Sequence, residues 1–315
     1  MFSGEDSAMQ KDLLCLYDLA AEDFDQIFER AADLKQKHKG GELFHPLRGK
    51  TLGMIFEKPS TRTRVSFETG MFQLGGHALY LRWTDTQLGR GESIYDTAKV
   101  LSRYLDAIVI RTFAQSTVEE LARDADVPVI NGLTDMCHPC QILADLLTVI
   151  ERRGSVQGMK AVYIGDGNNV ATSWINAAQR LSFDLTLACP AGHEPDSSVL
   201  ERACKESTSS INVISDPFEA VRDADVISTD TWVSMGQEKQ HRERIKAFSN
   251  YQVNERLIAA SKKDVMVMHC LPAHRGEEIT DGVMDGPNSA IFDQAENRLH
   301  VQKAVLEILT LNNQR

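Results

Sequence analysis

No apolar run in these 315 residues reaches the roughly 20 residues of a membrane span, so neither a channel nor a membrane anchor is expected. Positive charge is scarce too: 34 Lys and Arg stand against 45 Asp and Glu, a formal charge of -11. A chain with a pI near 5.3 repels polyanions, which argues against nucleic acid as a main partner. An anionic substrate must then be held by a local basic pocket. Cysteine is sparse, with six thiols scattered at 15, 137, 140, 189, 204 and 270. The start, Met-Phe-Ser-Gly-Glu-Asp, is acidic, unlike a signal or Arg-rich transit peptide. Reduced thiols in the cytoplasm are therefore expected rather than a disulfide framework. Internal repeats and low-complexity tracts are missing as well.

What is present is an ordinary globular composition, 42% hydrophobic and 25% charged, of a length that suggests two domains. Short apolar runs predict strands at 51–56, 77–81, 107–112, 127–131, 160–166, 184–189, 211–215, 225–229 and 265–270. Three/four spacing predicts helices at 12–39, from residue 60 to Gly75-Gly76, and at 94–104, 118–124, 141–152 and 294–312. Such alternation is the signature of α/β architecture: two doubly wound domains, each a mostly parallel sheet flanked by helices. The boundary falls near 150, within a long connecting helix.

In such sheets ligands bind beyond the carboxyl ends of the strands, and the residues able to do chemistry fall there. The densest set is Glu57-Lys58-Pro59-Ser60-Thr61-Arg62-Thr63-Arg64, where the first strand ends and a helix begins. First-turn N–H groups lack intrahelical partners and the helix dipole is positive there, which invites an anion. Ser60, Thr61 and Thr63 add hydroxyls, and Arg62 and Arg64 add donors matched to phosphate. A helix cap beside solvated arginines accounts for one hydroxyl and one Arg. Three hydroxyls and two arginines within five residues point to a phosphate site.

Arg111 ends a strand, as a sheet-end ion pair or a ligand arm. His138, in Cys137-His138-Pro139-Cys140-Gln141, can donate to a developing oxyanion, and Gln141 can donate and accept. The same run also reads as a helix-start turn fixed by Pro139, or as zinc ligands, although no second Cys/His pair at ligand spacing accompanies it. Gly165-Asp166-Gly167-Asn168-Asn169 half-matches a dinucleotide fingerprint. Val170 replaces the third glycine, however, and the next strand ends in Cys189-Pro190 rather than an acidic residue, so nicotinamide is not expected. Asn169 remains to bind a small polar ligand. Asp230 ends a strand, where a carboxylate suits a substrate ammonium group. Ser234-Met235-Gly236 behind it offers hydroxyl and backbone contacts, or is an ordinary loop. Cys270, in His269-Cys270-Leu271-Pro272, is either a small buried hydrophobe or a thiol facing a ligand crevice. Arg298 adds a cation near the anion if the last helix folds back.

Taken together, Ser60 to Arg64, His138 to Gln141, Asp230 to Gly236 and His269 to Pro272 resemble the ornithine carbamoyltransferase family, within the aspartate/ornithine superfamily. The motifs follow the family's order across nearly the whole chain. Cys140 departs from it, since many relatives carry Thr. The resemblance implies a carbamoyl-phosphate-binding domain over 1–150, an ornithine-binding domain over 151–290, and a C-terminal helix, 291–315, returning to the first. It implies that carbamoyl phosphate and L-ornithine give L-citrulline and phosphate, in arginine biosynthesis or the reverse in arginine breakdown. A cytoplasmic homotrimer, or a multiple of trimers with active sites at subunit interfaces, is implied as well.

Carried over by resemblance, Ser60, Thr61, Arg62, Thr63 and Arg64 hold the phosphate, with Gln87 reaching it from a neighbouring subunit. Thr63, Arg111 and His138 donate to the carbonyl oxygen. Gln141 and the backbone near Cys270-Leu271 hold the carbamoyl nitrogen, with Arg298 nearby. Asn169, Asp230, Ser234 and Met235 position ornithine, and Cys270 beside Asp230 serves its reacting amine. Arg62, Arg111, His138 and Cys270 form the catalytic set. No metal or organic cofactor is needed, because phosphate is already a competent leaving group.

Overall fold

The computed structural model describes residues 9–233 and 241–313. The chain divides into two compact units, one built from the residues up to Leu143 together with those from Arg298 onward, the other from Ala144–Asn297.

In the first unit the order is α1 (Ala21–Lys39), β1 (Thr51–Phe56), α2 (Thr61–Gln73), β2 (His77–Arg82), α3 (Ile94–Leu101), β3 (Ala107–Arg111), α4 (Gln115–Asp124) and β4 (Val129–Leu133). The strands pair in parallel in the order β2-β1-β3-β4. Every residue of β3 is buried, as expected of a strand covered on both faces. Ile55, Ile108, Ile110, Val118, Leu121 and Val129 form one core cluster there.

The predicted helix over 12–39 begins only at Ala21. Leu13 N–H donates to the Val129 carbonyl at 3.0 Å and Asn131 N–H to the Leu13 carbonyl at 2.8 Å, so this segment takes up backbone groups along β4. Leu13, Leu16 and Leu19 are buried all the same. Their apolar spacing reflects burial beside a strand, not a helix. The helix starts where Asp23 Oδ2 accepts the Ala20 N–H at 2.8 Å.

After α5 (Pro139–Arg153) the second unit runs β5 (Lys160–Ile164), α6 (Asn169–Arg180), β6 (Asp184–Ala188), α7 (Ser197–Glu206), β7 (Ile211–Ile214), α8 (Pro217–Ala220), β8 (Val226–Thr229), α9 (His241–Phe248), α10 (Glu255–Ala259), β9 (Met266–His269) and α11 (Asp281–Met284). Its five strands are parallel in the order β7-β6-β5-β8-β9. Trp174 on α6 meets Phe183 edge-on, with centroids 6.0 Å apart, and its indole N–H donates to Ser228 Oγ on β8.

A last helix, α12 (Ile291–Asn312), carries the chain back into the first unit. There Arg30 pairs with Glu307 at 2.6 Å, and Lys303 Nζ donates to Gln73 Oε1 at 3.0 Å. Gly70 of α2 allows the approach, because a Cβ at that position would lie 3.1 Å from Lys303 Cγ. Among the described residues no helix is long and apolar enough to cross a membrane.

Strand order fixes where each unit can bind a ligand. In the first unit the order reverses between β1 and β3, and in the second between β5 and β8. A crevice opens outside the carboxyl ends at such a switch point. The loop after β1 starts at Glu57 and β3 ends at Arg111; the loop after β5 starts at Gly165 and β8 is followed by Asp230.

Candidate active site

In the first unit Ser60 caps α2 from an extended backbone, its Oγ accepting the Thr63 N–H at 3.2 Å. The Ser60 hydroxyl donates to Thr63 Oγ1 at 3.0 Å, and Arg298 of α12 donates to the same oxygen at 2.8 Å. Arg111 sits in register with Phe56 and donates from Nε to the Lys58 carbonyl at 3.2 Å. Lys58 is itself held by Asp135 and lies over the Phe113 ring. Arg62 Nε is buried without a hydrogen-bond partner, a donor suited to an incoming anion.

The turn before α5 is fixed by Thr134, whose Oγ1 accepts the N–H groups of Met136 and Cys137. It presents His138 and Gln141, both buried. Burial first, then the guanidinium groups of Arg298, Arg111 and Arg62, hold the His138 imidazole well below its usual range. The pocket therefore gathers three cations around a neutral imidazole. That arrangement accepts a dianion while keeping a ring N–H for a developing oxyanion.

The sign of the pH effect follows from that shift. Below about pH 6.5 the unfolded chain protonates this histidine and the folded chain does not, so stability falls as pH drops. The slope approaches about 1.4 kcal/mol per pH unit for one proton. Urea midpoints between pH 7.5 and 5 are expected to fall more steeply for wild type than for His138→Gln. Parallel curves would remove His138 as the source.

Arg64 turns away from this group, with Nε on Glu68 at 2.9 Å and its guanidinium 3.8 Å from the Tyr80 ring centroid. Thr61 and Gln87 are exposed. The thiols flanking His138 face different partners: Cys137 lies 3.0 Å from Cys15, whereas Cys140 donates to the Asn131 carbonyl. The bond to Cys15 and burial raise the Cys137 thiol, and burial pushes Cys140 up to about 12. Both thiols are thereby held protonated at neutral pH.

In the second unit Asp230 follows β8 and Cys270 follows β9. The Cys270 thiol donates to Asp230 Oδ1 at 2.8 Å, and Thr231 N–H reaches the same oxygen at 2.7 Å. Asp230 Oδ2 accepts from Asn168 Nδ2 at 2.8 Å. Asn168 also caps α6, its Oδ1 accepting the N–H groups of Val170 and Ala171. Asn169 stands half-buried beside it. Sequence patterning singled out Asn169 and passed over Asn168, although an Asn at a strand-to-helix turn is the standard capping signal. Ser234 and Met235 lie outside the described residues. Gly167 answers a packing need, since a Cβ there would lie 2.2 Å from Pro195 N. Arg244 of α9, also missed, binds both Asp166 and the Trp232 carbonyl. It thereby ties the segment after Asp230 to the tip of β5.

Buried cations at one switch point and a carboxylate–thiol pair at the other define a two-unit α/β protein whose loops suit an anion in one unit and a cation in the other. The family model described as the aspartate/ornithine carbamoyltransferase carbamoyl-P binding domain matches residues 11–151, and that for the Asp/Orn binding domain matches 157–309. An ornithine carbamoyltransferase of Syntrophus aciditrophicus is 61% identical over 301 residues, spanning 96% of this chain and 100% of the relative. A relative in Pyrococcus furiosus named as anabolic is 56% identical over 302 residues, spanning 95% of this chain and 96% of its own. A solved ornithine carbamoyltransferase structure from Pyrococcus furiosus superposes with a TM-score of 0.91 at 56% identity, covering 95% of this chain and 96% of that one. The chain belongs to the aspartate/ornithine carbamoyltransferase family.

Proposed function

We propose that this chain transfers the carbamoyl group of carbamoyl phosphate to the side-chain amine of L-ornithine, giving L-citrulline and phosphate. The observation that carries the choice of acceptor is the Asp230–Cys270 pair, with Asn168 on the second carboxylate oxygen. A carboxylate there suits a diamino acid, whereas an aspartate acceptor would bring a second negative charge onto Asp230. Similarity to the relative named as anabolic supports the biosynthetic direction.

Residues 1–150 are assigned to carbamoyl phosphate and 151–290 to ornithine, with 291–315 as the returning helix. Ser60, Thr61, Arg62 and Thr63 take the phosphate, with Arg64 in a lesser part because Glu68 and the Tyr80 ring already engage it, and with Gln87 of a neighbouring subunit in a homotrimer or a multiple of trimers. The exposure of Gln87 supports that role. Thr63, Arg111 and His138 donate to the carbonyl oxygen as charge builds on it, each worth about 3–4 kcal/mol by analogy with other oxyanion donors. Gln141 and the Cys270-Leu271 backbone take the carbamoyl nitrogen, with Arg298 nearby. Asn169, Asp230, Ser234 and Met235 position ornithine.

The attacking amine has a solution pKa of about 10.4, so presenting it neutral at pH 7 costs about 4.6 kcal/mol. Cys270 and Asp230 bind that end; the proton goes to the Asp230 carboxylate, beside which the Cys270 thiol is held as a donor. Cys270→Ala is expected to lower kcat by about 10²-fold and to move the pH profile; an unchanged kcat and profile would remove the thiol from the reaction. The deciding experiment follows product formation from carbamoyl phosphate with ornithine, putrescine, N-acetylornithine and aspartate side by side. Citrulline from ornithine alone is expected. Turnover with another amine and none with ornithine would overturn the assignment of the Asp230 site.

A further inference from the structure

Behind the Cys270-Leu271 backbone lies a pair of side chains that the carbamoyl-transfer chemistry leaves unused. His269 ends β9 and Glu278 lies nine residues on; neither side chain has any exposed surface. His269 Nε2 is 3.0 Å from Glu278 Oε1, and Leu271 N–H donates to His269 Nδ1 at 2.8 Å. A backbone amide can only donate, so Nδ1 accepts and carries no proton. The ring proton therefore sits on Nε2 and points at Glu278. The same Glu278 oxygen accepts the His274 N–H, so one carboxylate holds both ends of the 269–274 turn. The His269 N–H donates to Gln294 Oε1 at 3.1 Å, which anchors the ring's own backbone.

The turn is one that a side-chain-bearing residue seldom adopts. Leu271 has φ +58°, in the left-handed region that leucine rarely enters. Such a conformation persists only where the surroundings determine it, and among the described residues its amide is held by the His269 ring. Cys270, between the two, points its thiol at Asp230.

We propose that Glu278 and His269 are positioning residues: the carboxylate selects the Nε2–H tautomer, and the bare Nδ1 holds Leu271 in the conformation that aims Cys270 at Asp230. With its N–H committed to His269, Leu271 leaves its one carbonyl oxygen, not a donor, for a ligand's NH₂ group. The inference rests on the proposed role of Cys270-Leu271 in carbamoyl transfer.

Two isosteric variants separate the relay from a purely structural tie. His269→Asn places an acceptor near the Nδ1 position but does not reach Glu278. His269→Gln places a donor near the Nε2 position and leaves the Leu271 N–H without its acceptor. In the relay, His269→Gln lowers kcat about 10²-fold, as a misplacement of about 1 Å does, and His269→Asn loses about tenfold less. A tie that merely fastened β9 to the 274–278 turn would make the Gln variant the better enzyme, and that order overturns the relay. An inactive wild type would instead overturn the functional assignment. Nitrogen-15 NMR of the wild-type imidazole covers the case where neither variant folds. A protonated Nε2 with a bare Nδ1 is expected, and a protonated Nδ1 rules the relay out.

Discussion

Arg62→Ala is expected to lower kcat/KM for carbamoyl phosphate by about 10²–10³-fold while leaving thermal stability nearly unchanged. Arg62 Nε is buried without a partner, so the free protein gains little from that donor and a bound dianion gains much. Its guanidinium is also one of three that surround His138. Removing it takes away both a directed hydrogen bond and part of the field that favours negative charge. Arg64 gives the internal comparison. Its guanidinium is already occupied by Glu68 and the Tyr80 ring, so Arg64→Ala is expected to cost clearly less activity. Initial rates with carbamoyl phosphate varied at saturating ornithine, beside thermal unfolding, measure both. Equal losses at the two positions would mean that the anion is held differently from this geometry.

Most strands of the described residues were legible because parallel strands covered on both faces are short continuous apolar runs, such as Ile108-Val109-Ile110, whereas β2, with no buried residue, showed only as a mixed run. Both ligand loops were legible for the same reason: a polar cluster directly after such a run marks a strand's carboxyl end, as at Ser60 to Arg64 and at Asp230. What stayed hidden depends on which loops the topology brings together. Arg244 and Asp166 are 78 residues apart and share no local pattern, yet they meet because β5 and β8 are neighbours. The segment over 12–20 kept a helical apolar spacing while Leu13 bonded along β4, since an open strand edge outweighs local periodicity. Arg64 looked equivalent to Arg62 in sequence. One helical turn on, Glu68 turned its side chain the other way.

Asp230→Asn is expected to lower kcat/KM for ornithine by about 30- to 1,000-fold, as loss of one charged partner from a buried pair costs about 2–4 kcal/mol. KM for carbamoyl phosphate is expected to change little. The substitution is close in shape, so its effect comes from charge and from hydrogen-bond direction. Oδ1 accepts from Thr231 N–H and the Cys270 thiol, which fixes the amide oxygen of the new side chain at that position. The new NH₂ group then faces Asn168 Nδ2, donor against donor. Asn168 cannot turn over to relieve this, because its oxygen already caps α6 and accepts from the Tyr163 hydroxyl at 3.2 Å. The variant thus loses the negative charge that an ammonium group seeks and breaks the bond linking the β8 and β5 loops. Stability is expected to fall by about 1–3 kcal/mol, the cost of leaving a buried polar group badly paired. Steady-state rates with ornithine varied, run with a urea titration, separate the two effects. An unchanged kcat/KM for ornithine in a folded variant would show that this carboxylate does not meet the amino acid.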